Sequence, residues 1–235
     1  MTYVLHYAPD NASLIIRMAL EELGLPYEAR LVDRASKAQE SPRYRAKAPT
    51  GLIPCLETPS DTLFETGAIL MWLSEVHQAL VPKSGTPERG DFLKWFFFTA
   101  NTLHPLLRLN FYPEKYVGKD ANDTNTLRRT IQDVHPKNTT LPRALGLLDA
   151  YIAERTAPET TDILELYLSG CLRWCGIYPV GWTAWFNLPD FPALEALSIR
   201  VEARPSARRV AHAEGLGHRF LSKPQLPNPP EGSVL

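Results

Sequence analysis

The apolar period changes near residue 80, and that change constrains the fold of this 235-residue chain more than any single motif. Before it, short β-rich runs alternate with helical ones. TYVLHY has the composition of a buried strand, and YEARLVD alternates as a second. Between them Leu14, Ile15, Met18, Ala19 and Leu23 repeat at helical spacing from Ser13 to Leu23, and Gly24 is placed to end that helix. SKAQESPRYRAKA is polar and fits either a loop or a short helix. IPCLE and TLF, bounded by Gly51, Pro59 and Asp61, read as two more short strands, and ETGAILMWLSEVHQAL is a strongly periodic helix. The order β-α-β-(α)-β-β-α implies a compact α/β domain over 1–80.

VPKSGTPERG, residues 81–90, is a linker with two prolines, two glycines and little to bury. Beyond it, over 91–220, only helical patterns occur. DFLKWFFFTANTLHPLLRLNFYP is long and apolar on more than one side, as a core helix is. GKDANDTNTLRRTIQDVHPKNTT is polar and weakly periodic. ALGLLDAYIAERT is a helix, and DILELYLSGCLRWCGIYP, the most apolar of the set, belongs at the centre. In the latter, Asp162 and Glu165 have capping-box spacing. FPALEALSIRVEARPSARRVAHAEG gives terminal helices broken at Pro205. Residues 221–235 concentrate proline and read as an extended, loosely held tail. The fold class is α+β, a mixed N-terminal domain followed by an all-helical one.

A net charge of −1 argues against a nucleic-acid surface, which needs a basic excess. No apolar run has the length of a membrane span, and MTYVLHYAPD lacks the features of a secretion signal, so the expectation is a cytoplasmic protein. Three cysteines do not make a disulfide framework. Cys171 and Cys175 share a helix face, but no His, Asp or Glu beside them completes a ligand set, so buried thiols without metal are expected.

Two places carry binding chemistry. Pro54 opens a strand without an N–H to donate. A cis Ile53–Pro54 bond would let Ile53 show its backbone N–H and C=O to a peptide-like ligand; a trans proline at a strand's first residue is the commoner case. In FETGAIL, Thr66 has the character of an N-cap, and the helix start behind it is an anion site, with Glu65 available for an adjacent ammonium.

The domain order, the PTGLIPCLE segment, the FETGAILMWLSE helix start and the helical second half together resemble the cytosolic glutathione transferase family. The opening YAPDNASLIIRMALEELGLPYE is similar to that of its bacterial members, and the match is good over the first 80 residues and looser beyond. The resemblance implies a thioredoxin-like domain that holds glutathione, and a helical bundle that supplies most of a pocket for an apolar electrophile. It implies glutathione as co-substrate, no metal, and a homodimer with MWLSEVH and the first long helix near the contact. Position by position, Ile53 would pair with the cysteinyl unit beside cis Pro54, and Glu65 and Thr66 would take the γ-glutamyl end. Lys37, Arg45 and Lys47 are the cations available for the glycine carboxylate. His104, in TLHPLL, matches a histidine that faces the sulfur in bacterial relatives, although Pro105 follows it here; a satisfied core histidine fits the same sequence equally well. Trp95, Phe98, Leu106, Arg108, Phe111, Tyr112 and Tyr116 offer apolar and aromatic surface for the electrophile.

Such chemistry needs the sulfur as thiolate near neutral pH. Lowering a thiol pKa of ~8.5 by about two units takes roughly 2.7 kcal/mol. A helix dipole supplies about 0.3–1 kcal/mol, whereas one hydrogen bond to a charged acceptor gives ~1.5–3 kcal/mol. One good donor is therefore required. In the relatives the donor slot at the helix start often holds Cys or Ser; here it is Ala12, which excludes mixed-disulfide chemistry from that slot. Ser13, Asn11 and Tyr7 remain as sulfur contacts, with Asn11 and Ser13 ahead of Tyr7 because a strand-end tyrosine also occurs in relatives that do not use it. Ala12 equally leaves open a non-catalytic glutathione- or ligand-binding protein. A glutathione-dependent lyase, dehalogenase or disulfide reductase on the same scaffold is a third reading.

Overall fold

The computed structural model describes residues 2–133, 139–156 and 160–233. Strand β1 (Tyr3–Tyr7), helix α1 (Ser13–Glu22) and strand β2 (Tyr27–Leu31) come first. The polar segment that follows is a 3₁₀ turn (Ala38–Glu40) and the short helix α2 (Pro42–Arg45), capped by the Ser41 hydroxyl. Strands β3 (Cys55–Glu57) and β4 (Thr62–Phe64) lead into α3 (Thr66–His77). The four strands make one sheet in the order β2-β1-β3-β4, with β1 parallel to β2 and the other pairs antiparallel. Alternation along β1 sorts its side chains between two layers. Tyr3, Leu5 and Tyr7 join the main core with Leu14, Ile15, Ile69 and Leu73 of α1 and α3. His6 faces the other way, against Tyr44, where Val32, Ala48 and Cys55 form a small second core. This is a thioredoxin-like arrangement, and the remainder is helical.

Helix α4 (Pro87–Phe98) starts with a Thr86 cap and Pro87 in its first turn. It does not continue regularly into α5 (His104–Phe111). Thr99–Leu103 form a π turn in which the His104 N–H reaches Thr99 O, five residues back. Pro105 explains the interruption, since it has no N–H to give to the carbonyl four residues before it. The single long helix read from the sequence is thus two helices with a bulge directly before His104. Short α6 (Glu114–Val117) and α7 (Ala121–Gln132) follow; the rest of that polar segment, 134–138, lies outside the described residues.

Helices α8 (Leu141–Glu154), α9 (Ile163–Ile177), α10 (Pro192–Glu202) and α11 (Pro205–Ala213) complete the bundle, with the break at Pro205. Nearly every residue of α9 is buried. Gly170 lets it approach α1 closely: a Cβ there would lie 2.7 Å from Ile15 Cγ1. Only half of a capping box forms at the α9 start. Asp162 accepts the Glu165 N–H at 3.0 Å, but the Glu165 carboxylate turns instead to Thr161 Oγ1 (3.0 Å) and Arg200 (2.6 Å).

The proline-rich tail is extended but not loose. The Asn228 N–H donates to Gly215 O at 2.9 Å, Gly232 packs against Leu31, and the Glu231 carboxylate accepts from the Tyr7 hydroxyl. Composition foretells its extended backbone; specific side-chain and backbone partners hold it down.

Candidate functional site

Strand register brings three chain segments to one edge of the sheet. His6 pairs with Cys55 and Cys55 with Phe64, so the residues after β1, before β3 and after β4 emerge together. Pro54 is buried at this edge, and the Ile53–Pro54 bond is cis. Beside it Glu65 is exposed and takes a left-handed backbone, φ 71°. The Glu65 carbonyl accepts the Ile69 N–H at 2.9 Å, which makes Glu65 the residue that begins α3. Thr66 is therefore the first helical residue and buried, one position inside the cap that its hydroxyl led us to expect. The first amides of α3 lack intrahelical acceptors and carry the positive end of its dipole.

The loop between β1 and α1 distributes the three sulfur candidates differently. Ser13 is fully buried, and its hydroxyl both donates to Ala8 O (3.0 Å) and accepts the Ala8 N–H (3.2 Å). That hydroxyl holds the loop in shape. Tyr7 is buried, its hydroxyl donates to Glu231, and the Arg17 guanidinium lies 5.0 Å from its ring centre. Burial first, and the Glu231 carboxylate second, push the phenol pKa up. Asn11 is half-buried, with Oδ1 accepting the Ala12 N–H at 2.8 Å. Its Nδ2 group points away from that bond by the geometry of an amide.

His104 Nδ1 lies 2.8 Å from the Tyr167 hydroxyl, and its ring sits 5.7 Å from Trp174. Burial, helped by the Arg108 charge, lowers its pKa to about 4, so the imidazole is neutral at neutral pH. Tyr167 also meets Phe96, ring centres 5.9 Å apart, and the Phe96 ring borders Gly67 in the first turn of α3, so this pair sits close to the start of that helix. Among the cations, Lys47 Nζ is 3.0 Å from Glu57, a carboxylate already shared with His6 and Arg30. Arg45 lies beside Gly51, and Lys37 is exposed in a left-handed turn, φ 55°. The aromatic candidates divide. Phe111 meets Tyr112 and Tyr178, and Arg34 crosses from the sheet-bearing part to the Tyr112 hydroxyl at 3.0 Å. Trp95 and Phe98 belong to another group that includes Tyr151, stacked on Trp95 at 4.7 Å. A cavity of about 490 Å³ on that side, between Pro82, Asp91, Tyr151 and Arg155, contains none of the candidate glutathione contacts.

Sequence reading missed a densely bonded buried group centred on Asp10. Asp10, with φ 51°, is buried, and its carboxylate receives Arg173 Nε (2.7 Å), Arg173 Nη2 (2.8 Å), Trp174 Nε1 (3.1 Å) and the Tyr178 hydroxyl (2.8 Å). The Asp10 N–H donates to Glu214 at 2.9 Å. Burial raises the Glu214 pKa to about 7 against the pull of Arg17, 3.3 Å away. One signal was available: Arg173 interrupts the most apolar helix of the chain, where a charge must find a buried partner.

The cysteines are all free and buried, and burial raises each thiol pKa, that of Cys55 to about 11. Among the described residues no cluster of three or more His, Cys, Asp or Glu could hold a metal, and no helix is long and apolar enough to cross a membrane.

Residues 12–76 match the N-terminal domain of glutathione S-transferases. Over that stretch the chain carries a glutathione S-transferase N-terminal domain. The glutathione S-transferase-like protein gedE of Aspergillus terreus is 27% identical over 217 residues, 84% of this chain and 89% of that protein. The disulfide-bond oxidoreductase YfcG of Escherichia coli is 33% identical over 115 residues, 46% of this chain and 53% of that one, so the match spans about half of each. A glutathione transferase family member from Pseudomonas fluorescens, solved with two glutathione bound, superposes with a TM-score of 0.74 at 25% identity, covering 89% of this chain and 92% of that one. The family match includes Pro54, Glu65 and Thr66, so the edge assembled by strand register falls within the glutathione S-transferase N-terminal domain.

Proposed function

We propose that this chain binds glutathione along the sheet edge and directs its sulfur at an apolar electrophile or a disulfide. The observation that carries the reading is the convergence of the cis Ile53–Pro54 backbone, the Glu65–Thr66 start of α3 and the 8–13 loop at one edge. Ile53 pairs its backbone with the cysteinyl unit. The α3 amides receive the γ-glutamyl carboxylate, Glu65 its ammonium, and Lys37 the glycine carboxylate. His104, neutral and held by Tyr167, faces the sulfur from the helical side without adding charge.

Asn11 is the sulfur donor in this reading. The Ser13 hydroxyl is committed to Ala8 and the Tyr7 hydroxyl to Glu231, which leaves the Asn11 amide as the candidate donor at the loop. Phe111, Tyr112 and Tyr178 provide the apolar wall for the acceptor. A glutathione transferase-type activity fits this arrangement, and the name of the E. coli relative makes a disulfide the second acceptor to try. The protein works as a cytoplasmic homodimer in detoxification chemistry, by analogy with the family.

Glutathione titration followed by tryptophan fluorescence tests binding, and ultraviolet titration of the bound thiol tests activation. Asn11→Ala should raise the bound-thiol pKa by about one to two units, the worth of one charged hydrogen bond. Binding by the unaltered protein with no thiolate at neutral pH would leave a glutathione-binding protein without this chemistry. No binding at all would sink the reading.

A further inference from the structure

Asp10 directly precedes Asn11 and is held from all sides. Its backbone is left-handed, φ 51°, a conformation that Asp tolerates better than most residues with a Cβ. Four donors converge on its carboxylate, two of them from the Arg173 guanidinium in a bidentate pair, and Glu214 accepts its N–H. Both side chains of the pair are inaccessible to solvent. Arg173 is itself fixed by two main-chain carbonyls, Phe220 O at 2.7 Å and Gln225 O at 3.1 Å. The guanidinium fork therefore transmits the position of α9 and of the segment after α11 to a single residue of the β1–α1 loop.

A buried ion pair is a costly way to gain stability, since an apolar pair of similar volume often serves as well. Its advantage is direction: a planar fork accepts a carboxylate in one orientation only. Here the carboxylate bonds fix the Asp10 side chain and the Glu214 bond fixes its N–H, so the residue from which Asn11 continues is held at both ends.

We propose that Arg173 is a positioning residue for the reaction, acting through Asp10 to aim Asn11 at the glutathione sulfur. The inference rests on Asn11 being the sulfur contact, and the experiment separates the two. Arg173→Lys keeps the charge but loses the fork; Arg173→Met with Asp10→Asn removes both charges together, so that no buried charge is left alone. Each variant is checked for native near-ultraviolet dichroism. The dissociation constant for glutathione, the bound-thiol pKa, and kcat and KM with an aryl halide acceptor are then measured.

Arg173→Lys should shift the dissociation constant by less than about threefold while lowering kcat about tenfold, with the bound-thiol pKa raised by about one unit. The paired variant should behave alike. In an Asn11→Ala background the same Arg173→Lys change should leave the thiol pKa where Asn11→Ala had put it, because the group being aimed is gone. A folded Arg173→Lys protein with unaltered thiol pKa and kcat would overturn the proposal. So would an equal effect of Arg173→Lys with and without Asn11. If the first variant fails to fold, the paired variant decides by the same criteria, and failure of both to fold would make the pair a stability element and also overturn it. Should the unaltered protein not bind glutathione, or Asn11→Ala have no effect on its thiol, the reading of the site falls first.

Discussion

Replacing Glu214 by Gln should flatten the dependence of stability on pH. The carboxyl is fully buried, and its pKa rises from 4.5 to about 7, with desolvation the largest cause; Arg17 and the Asp10 N–H oppose the shift, and the Asp10 carboxylate adds to it. An acid whose pKa is raised by folding is held protonated more tightly in the folded state. Between the two values the folded chain binds more protons than the unfolded one, so stability is highest below 4.5 and declines as pH rises towards 7. A shift of that size corresponds to roughly 3 kcal/mol, of which about 2 kcal/mol is already lost by pH 6. Gln cannot titrate. Its oxygen can still accept from Asp10, while its amide meets the Arg17 guanidinium badly, so absolute stability will also shift. The diagnostic quantity is therefore the change in the difference between the two proteins. Urea unfolding followed by tryptophan fluorescence at about pH 5 and about pH 8 should show the variant gaining on the parent by roughly 2 kcal/mol or more over that interval. Parallel curves would mean that Glu214 is ionised throughout, and the account of its burial would be wrong.

Gly170→Ala should cost about 1–3 kcal/mol of thermal stability, because the added methyl would meet Ile15 on the α1–α9 contact at 2.7 Å; an unchanged melting temperature would show that the helices separate freely. Glu231→Gln should lower the pKa of the Tyr7 phenol, since the carboxylate is a cause of its elevation. Alkaline difference absorbance reports this, and no movement relative to Tyr7→Phe would detach the tail from β1. The His104 imidazole resonances should stay in the neutral position across the range around 6.5, its pKa being lowered to about 4. An inflection near the ordinary value would mean that water reaches the ring past Tyr167 and Trp174.

Local signals made much of the fold legible. The apolar spacing from Leu14 to Leu23 and the glycine after it gave α1, and Pro205 separated α10 from α11 because a proline cannot continue the ladder of the helix before it but fits the first turn of a new one. Pro105 carried its signal too, but the consequence was a change of helical period before His104 rather than an end. At Thr66 side-chain propensity misplaced the cap by one residue, because the turn was made by the backbone of Glu65. What the sequence could not display was partnership at a distance. Ser13 has its hydroxyl bonds within five residues, yet nothing in YAPDNAS indicates that Tyr7 meets Glu231 or that Asp10 meets Arg173. Such pairs depend on how helices stack, and a chain read residue by residue does not contain that information.

The ties between the β1–α1 loop and residues 173, 214 and 231 bear on how this protein can be cut and recombined. A fragment ending in the linker would strand Asp10 without its guanidinium, and Tyr7 and the Asp10 amide without their carboxylates. Chimeras that exchange the sheet-bearing part with that of a relative would inherit the same mismatch unless the distant partners travel with it. Sheet and helices share these partners, and crossover points for shuffling should be chosen by that wiring rather than by the proline content of the segment before α4.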